Sequence, residues 1–149
     1  MDKSEVISTL NDLLKTSRDG ECGFGDAAKQ VKSGNLKAIL ETAASRCAVA
    51  AAELETHVRA LGGETSHAGT VTGALHRAWS NIKSSVTTMD DHAVLAECES
   101  AEDTAKGAYE AALKKDLPVD VRALVERQYQ GVKENHDRIR NLRDSTRAA

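Results

Sequence analysis

The sequence predicts an all-α fold: four long helices in two antiparallel hairpins, joined by a long crossover that contains a short helix. Three observations carry this reading. Apolar residues recur at three-four spacing along four segments, the period of one helix face. Ala, Leu, Glu, Lys and Arg, the good helix formers, are abundant. Aromatic residues make up only 3% and Pro occurs once, too few for the aromatic strands and frequent turns of a sandwich or barrel. The 149 residues suit one domain, 1–149, large enough to bury a core without a disulfide or metal staple.

The first helix is expected from about Ser4 to Val31, with Asp2 and Glu5 as a capping box. Its stripe reads Leu10, Leu14, Ser17, Glu21, Phe24, Ala28, Val31. Lys32 to Asn35 breaks the pattern. The second helix is expected from about Leu36 to Leu61, through Leu40, Ala43, Cys47, Ala50, Leu54 and Val58, and Gly62-Gly63 stops it. The crossover covers about Gly63 to Thr88. Within it Val71 to Val86 is expected to form a short amphipathic helix presenting Val71, Leu75, Trp79 and Ile82 on one face. The third helix is expected from about Met89 to Lys115, capped by Thr87 or Thr88, with Leu95, Cys98, Glu102, Ala105, Tyr109 and Ala112 inward. Pro118 suits the first turn of the fourth helix, where its missing N–H costs nothing. That helix is expected from about Val119 to Arg143, with Val121, Val125, Gln128, Val132, His136 and Ile139 inward, and the tail Asp144 to Ala149 frayed. Two tight hairpins and one long connection are the layout of a ferritin-like four-helix bundle.

Three inward positions break the binary pattern: Glu21, Glu102 and His136. Counting back from the two hairpin turns sets position 21 opposite about 46, and His136 opposite about Cys98. With the second and third helices parallel, Cys47 lies level with about Ala101. One cross-section then gathers Glu21, Cys47, Glu99 or Glu102, and His136, with Arg46 at its edge. Burying carboxylates is costly unless they are paired, hydrogen-bonded or metal-bound. Three outcomes stay open: a metal held by the acids and the imidazole; a network neutralised by Arg46, Ser17, Tyr109 and Gln128; or helices rotated so that the acids face solvent.

Charge and cysteine usage exclude several classes. The net charge of −3 and pI of about 6.0 argue against a general nucleic-acid binder. No run of 18 apolar residues exists, so no membrane span is expected. Met1 to Leu10 carry two acids and one Lys, unlike a signal peptide. Three widely spaced cysteines (Cys22, Cys47, Cys98) suit reduced thiols in a cytoplasm. Gly20, Gly23 and Gly25 follow no strand, so they read as close helix packing or a kink. Trp79 offers either a core contact or the anchor of an oligomer interface, and the apolar crossover face makes a homodimer the partner expectation.

The segments GALHRAWSNIK (Gly73 to Lys83), AECESAED (Ala96 to Asp103) with AYEAALKKDLP behind it, VRALVERQYQGVKENHDRIRNLRD (Val121 to Asp144) and VISTLNDLL (Val6 to Leu14) carry a likeness along nearly the whole chain. They resemble a proteobacterial family of small four-helix-bundle proteins of unknown function, within the ferritin-like superfamily. The resemblance implies a fold and no established activity. Di-iron members of that superfamily use one Glu from each of two helices and Glu-x-x-His from each of the other two. Glu21 fits the first place, and the third helix offers Glu99-x-x-Glu102. The second helix has Ala43, Ala44, Arg46 and Cys47 at that level, and Lys133 stands where a Glu should precede His136. The resemblance thus implies an incomplete centre. The expected function is a non-enzymatic helical interaction or stress-related module. The alternative is an iron- or manganese-binding, oxidase-type protein using Glu21, Glu99, Glu102 and His136, with Arg46, Cys47 and Gln128 beside them.

Overall fold

The structure, a computed structural model, describes residues 1–65, Trp79 and residues 90–146. Those residues form four helices: α1 (Lys3–Gln30), α2 (Gly34–Ala60), α3 (Asp91–Leu113) and α4 (Val119–Ser145). No strand occurs among them. The expected crossover helix and its apolar face lie, apart from Trp79, outside the described residues.

Local chemistry fixes the helix ends. Asp2 Oδ1 accepts from the Glu5 amide at 2.8 Å, as the sequence signature requires. Ser33 caps α2 by accepting from the Leu36 amide at 3.3 Å, so Gly34 and Asn35 belong to the first turn of α2 rather than to the break. Lys37 Nζ donates to Ala28 O at 2.9 Å and holds a carbonyl that α1 leaves unpaired at its end. At the end of α2, Gly62 adopts φ 81°. Its amide donates to Arg59 O and that of Gly63 to Val58 O, the pair of bonds of a Schellman ending.

Two expected ends move. The cap of α3 is Asp90, whose Oδ1 accepts from the Ala93 amide at 2.7 Å, not Thr87 or Thr88. A carboxylate one residue before the helix reaches its third amide better than a hydroxyl two residues further back. The fourth helix does not fray at Asp144: it continues to Ser145, because His92 at the start of α3 binds the carbonyls of Arg143 and Thr146 at 3.1 and 2.5 Å. Both partners are acceptors, so Nδ1 carries the proton. Pro118 sits one residue before α4. The turn between α3 and α4 is closed by Arg122, whose guanidinium donates to Leu113 O and Lys115 O.

Contacts between hairpins give the helix directions. Asp91 at the start of α3 accepts from the Lys32 and Ser33 amides, at the turn between α1 and α2. At the opposite pole Lys115 Nζ donates to Thr9 Oγ1 at 3.0 Å. Neighbouring helices are therefore antiparallel, and α2 runs parallel to α3 across the diagonal. α1 packs along α2 and along α3, and α3 along α4; α2 and α4 touch only sparsely.

Two apolar clusters fill the interior. One holds Phe24, Leu40, Trp79, Leu95 and Ile139 near the pole of the α1–α2 turn; the other holds Leu10, Leu14, Leu54, Tyr109 and Val125 toward the far pole. Each draws on all four helices. Between them lies a polar waist, at the level where α2 and α4 part.

Candidate functional site

The waist begins with Tyr109 on α3. It is buried, and its hydroxyl donates to Gln128 Oε1 on α4 at 2.8 Å while lying 3.5 Å from Ser17 Oγ on α1. Gln128 Nε2 reaches across to α2, to Ala50 O at 3.2 Å and Glu53 Oε1 at 3.1 Å. Glu53 also pairs with Arg127 at 2.9 Å. Arg127 and Gln128 together hold the Glu53 carboxyl below its ordinary range. One turn along, Arg46 Nη2 donates to Gly131 O at 3.1 Å. A side chain at Gly131 would meet that guanidinium at 2.8 Å. These two polar clasps link α2 to α4 directly.

Behind the clasps lies a cavity of about 450 Å³. Its walls are small and largely apolar, with Ala43 and Ala50 from α2, Ala101 and Ala105 from α3, Val132 from α4, and the Trp79 ring at one end. Glycines bring α1 close to it. A Cβ at Gly20 would lie 2.8 Å from Cys47 Sγ, and one at Gly23 would lie 2.1 Å from the Trp79 ring. The Trp79 ring stacks edge-on against Phe24, with centroids 5.0 Å apart. Trp79 is thus buried, the core contact of its two readings.

Glu102 lies on the inner wall, 5% exposed. Asn135 donates to its carboxyl, and its Oε2 has no partner among the described residues. Burial raises its pKa from 4.5 to about 7, against the smaller opposing pulls of the Asn135 hydrogen bond and the Arg46 charge. Burial likewise pushes the Cys47, Cys98 and Tyr109 protons far toward retention. The Trp79 indole N–H is another buried polar atom with no partner among the described residues.

The residues expected to form one layer separate here. Glu21 is exposed, contrary to its expected inward place. The buried face of α1 runs through Ser17, Gly20, Gly23 and Phe24 instead, because the glycines admit Cys47 and Trp79 where a strict stripe would have set an acid. Glu99 is half-buried and bound to Arg143. His136 is buried, with Nε2 3.2 Å from Asp103 Oδ1 but not aligned for a hydrogen bond, and Nδ1 3.3 Å from Asp137. Cys47 and Gln128 line the cavity with Glu102, and Arg46 stands at its mouth. Sequence reasoning missed Asn135, Glu53 and Arg127. The only signal for Asn135 was a polar residue one position before His136 on an otherwise apolar face.

A family model described as a domain of unknown function, DUF2383, matches residues 5–115, which contain α2, α3 and all of α1 but its first two residues. The chain belongs to the DUF2383 family. No curated protein matches it. In this DUF2383 chain Arg46, Cys47 and Glu102 lie within the matched span, whereas Gln128, Asn135 and His136 on α4 lie beyond it. The donor set does not fit the metal centre that the superfamily pattern would need. Among the described residues no three His, Cys, Asp or Glu side chains are grouped to hold an ion. Glu99 is taken by Arg143, His136 is turned to Asp103, and Glu21 is at the surface.

Proposed function

We propose that this DUF2383 chain is a ferritin-like bundle that acts by binding rather than by catalysis, and that the cleft between α2 and α4 receives a small molecule with an apolar body. The observation that carries the reading is Glu102: a buried carboxyl, one oxygen of which has no partner among the described residues, on the wall of a cavity of about 450 Å³. A cavity of that volume falls in the range of about 300–1,000 Å³ usual for ligand sites. An unmet buried polar atom costs about 1–3 kcal/mol, which a ligand group meeting it recovers. The ferritin-like layout is supported by the parallel course of α2 and α3, which needs one long crossover between two hairpins. Binding rather than catalysis is supported by the buried thiols of Cys47 and Cys98, which keep their protons and so lack nucleophilic character. The three free cysteines suit a reducing cytoplasm.

The test is titration with 1-octanol, followed by calorimetry and by the emission of Trp79, the single tryptophan. Saturable binding with an emission change is expected. Ala50→Phe, which places a ring inside the cavity from the α2 wall, is expected to abolish it while leaving the helical circular dichroism intact. Octanol uptake that does not saturate, or that survives in the folded Ala50→Phe protein, would overturn the proposal.

A further inference from the structure

The unmet groups around this cleft have one sign in common. Arg46 stands at the mouth with only the Gly131 carbonyl as partner and no ion pair among the described residues. Glu102 is poised near neutrality, and its Oε2, when protonated, is a second donor without an acceptor among the described residues. A cationic ligand would be repelled by Arg46, and a purely donating one would leave the Glu102 proton without an acceptor. A carboxylate brings two acceptor oxygens and the opposite charge to Arg46.

We infer that the cleft takes a medium-chain monocarboxylate, its head held by Arg46 and Glu102 and its tail lying along the alanine walls toward Trp79. The inference rests on the binding reading given above. The charged and titratable groups around Glu102 are Arg46, Cys47 and Glu53 from α2, Cys98 and Tyr109 from α3, and Arg127 and, beside Asn135, His136 from α4. On α1, Glu21 acts on Cys47 from the surface. Arg127 and Glu53 neutralise one another, and the two thiols and the phenol stay protonated. As pH rises through about 7, Glu102 loses its donor proton and becomes a like charge beside the ligand. Carboxylate binding must then weaken.

The experiment compares sodium octanoate, 1-octanol and octylamine on the full chain by calorimetry at pH 6 and pH 8. Octanoate is expected to bind about tenfold tighter than octanol at pH 6, the size of one charge-assisted hydrogen bond. It is expected to lose most of that advantage at pH 8. In Glu102→Gln, whose amide donates at every pH, octanoate affinity is expected to be flat between the two; His136 remains in that variant, so the flattening assigns the effect to Glu102. Arg46→Gln is expected to erase the preference for octanoate over octanol. If octanol or octylamine equals or exceeds octanoate at pH 6, the carboxylate inference is wrong and the cleft reading stands. If none of the three saturates, both fall.

Discussion

Glu102 concentrates the chemistry of this molecule in one side chain. Its folded pKa is raised, from 4.5 to about 7, so the folded protein holds a proton that the unfolded chain has already released over that span. Stability then falls as pH rises across it. The interval is worth roughly 3 kcal/mol once ionisation is complete. Glu102→Gln keeps the contact with Asn135 and removes the titration. Urea unfolding of both proteins is expected to give similar stability at pH 5 and a variant more stable by up to about 3 kcal/mol at pH 9. An equal difference at the two pH values would mean a solvated carboxyl. The inward position of Glu102 was legible in the sequence, since Leu95, Cys98, Ala105, Tyr109 and Ala112 fix its face. The surface position of Glu21 was not. Its stripe was read at three-four spacing, and what rotates it outward is the absence of side chains at Gly20 and Gly23, which a hydrophobic pattern records only as gaps.

At the scale of the element, those glycines set how closely α1 approaches its neighbours. Gly23→Ala would drive a methyl group into the Trp79 ring, since a Cβ there lies 2.1 Å from it. A loss of about 1–3 kcal/mol is expected. Gly25, two residues on, has no atom of the described residues within 4 Å of where a Cβ would stand. Gly25→Ala is expected to stabilise α1 by about 0.5–1 kcal/mol, because alanine gives up less backbone freedom on folding. Denaturant titration of the pair reads both signs, and a Gly23→Ala protein as stable as wild type would show that the ring yields. Helix ends were legible where one residue type stood alone. Asp2 with Glu5 and Gly62 left no rival. At α3 three capping types, Thr87, Thr88 and Asp90, crowd one turn, and local preference cannot choose among them; the contacts of Asp91 with the first hairpin and of His92 with the end of α4 do.

For the whole molecule, the two apolar clusters each recruit every helix, so neither hairpin has a core of its own. Unfolding is expected to be a single transition, with Trp79 emission and far-ultraviolet circular dichroism falling together. Separate midpoints would mean that the hairpins part before they melt. The register of the first hairpin was legible by counting from its turn: Gly20 meets Cys47, as the arithmetic around Ser33 requires. The sparse meeting of α2 with α4 was not legible, because it depends on small residues on both helices and on the reach of Arg46 and Gln128. A different asymmetry follows from Asp91 and His92. This adjacent pair ties down the bend of one hairpin and the last turn of the other, so three chain segments share a single knot at one pole. At the far pole Arg122 closes only its own α3–α4 turn, and among the described residues the hairpins are joined there by the bond of Lys115 to Thr9. Amide deuteration should accordingly advance along the rods from the far pole inward, reaching the knotted end last.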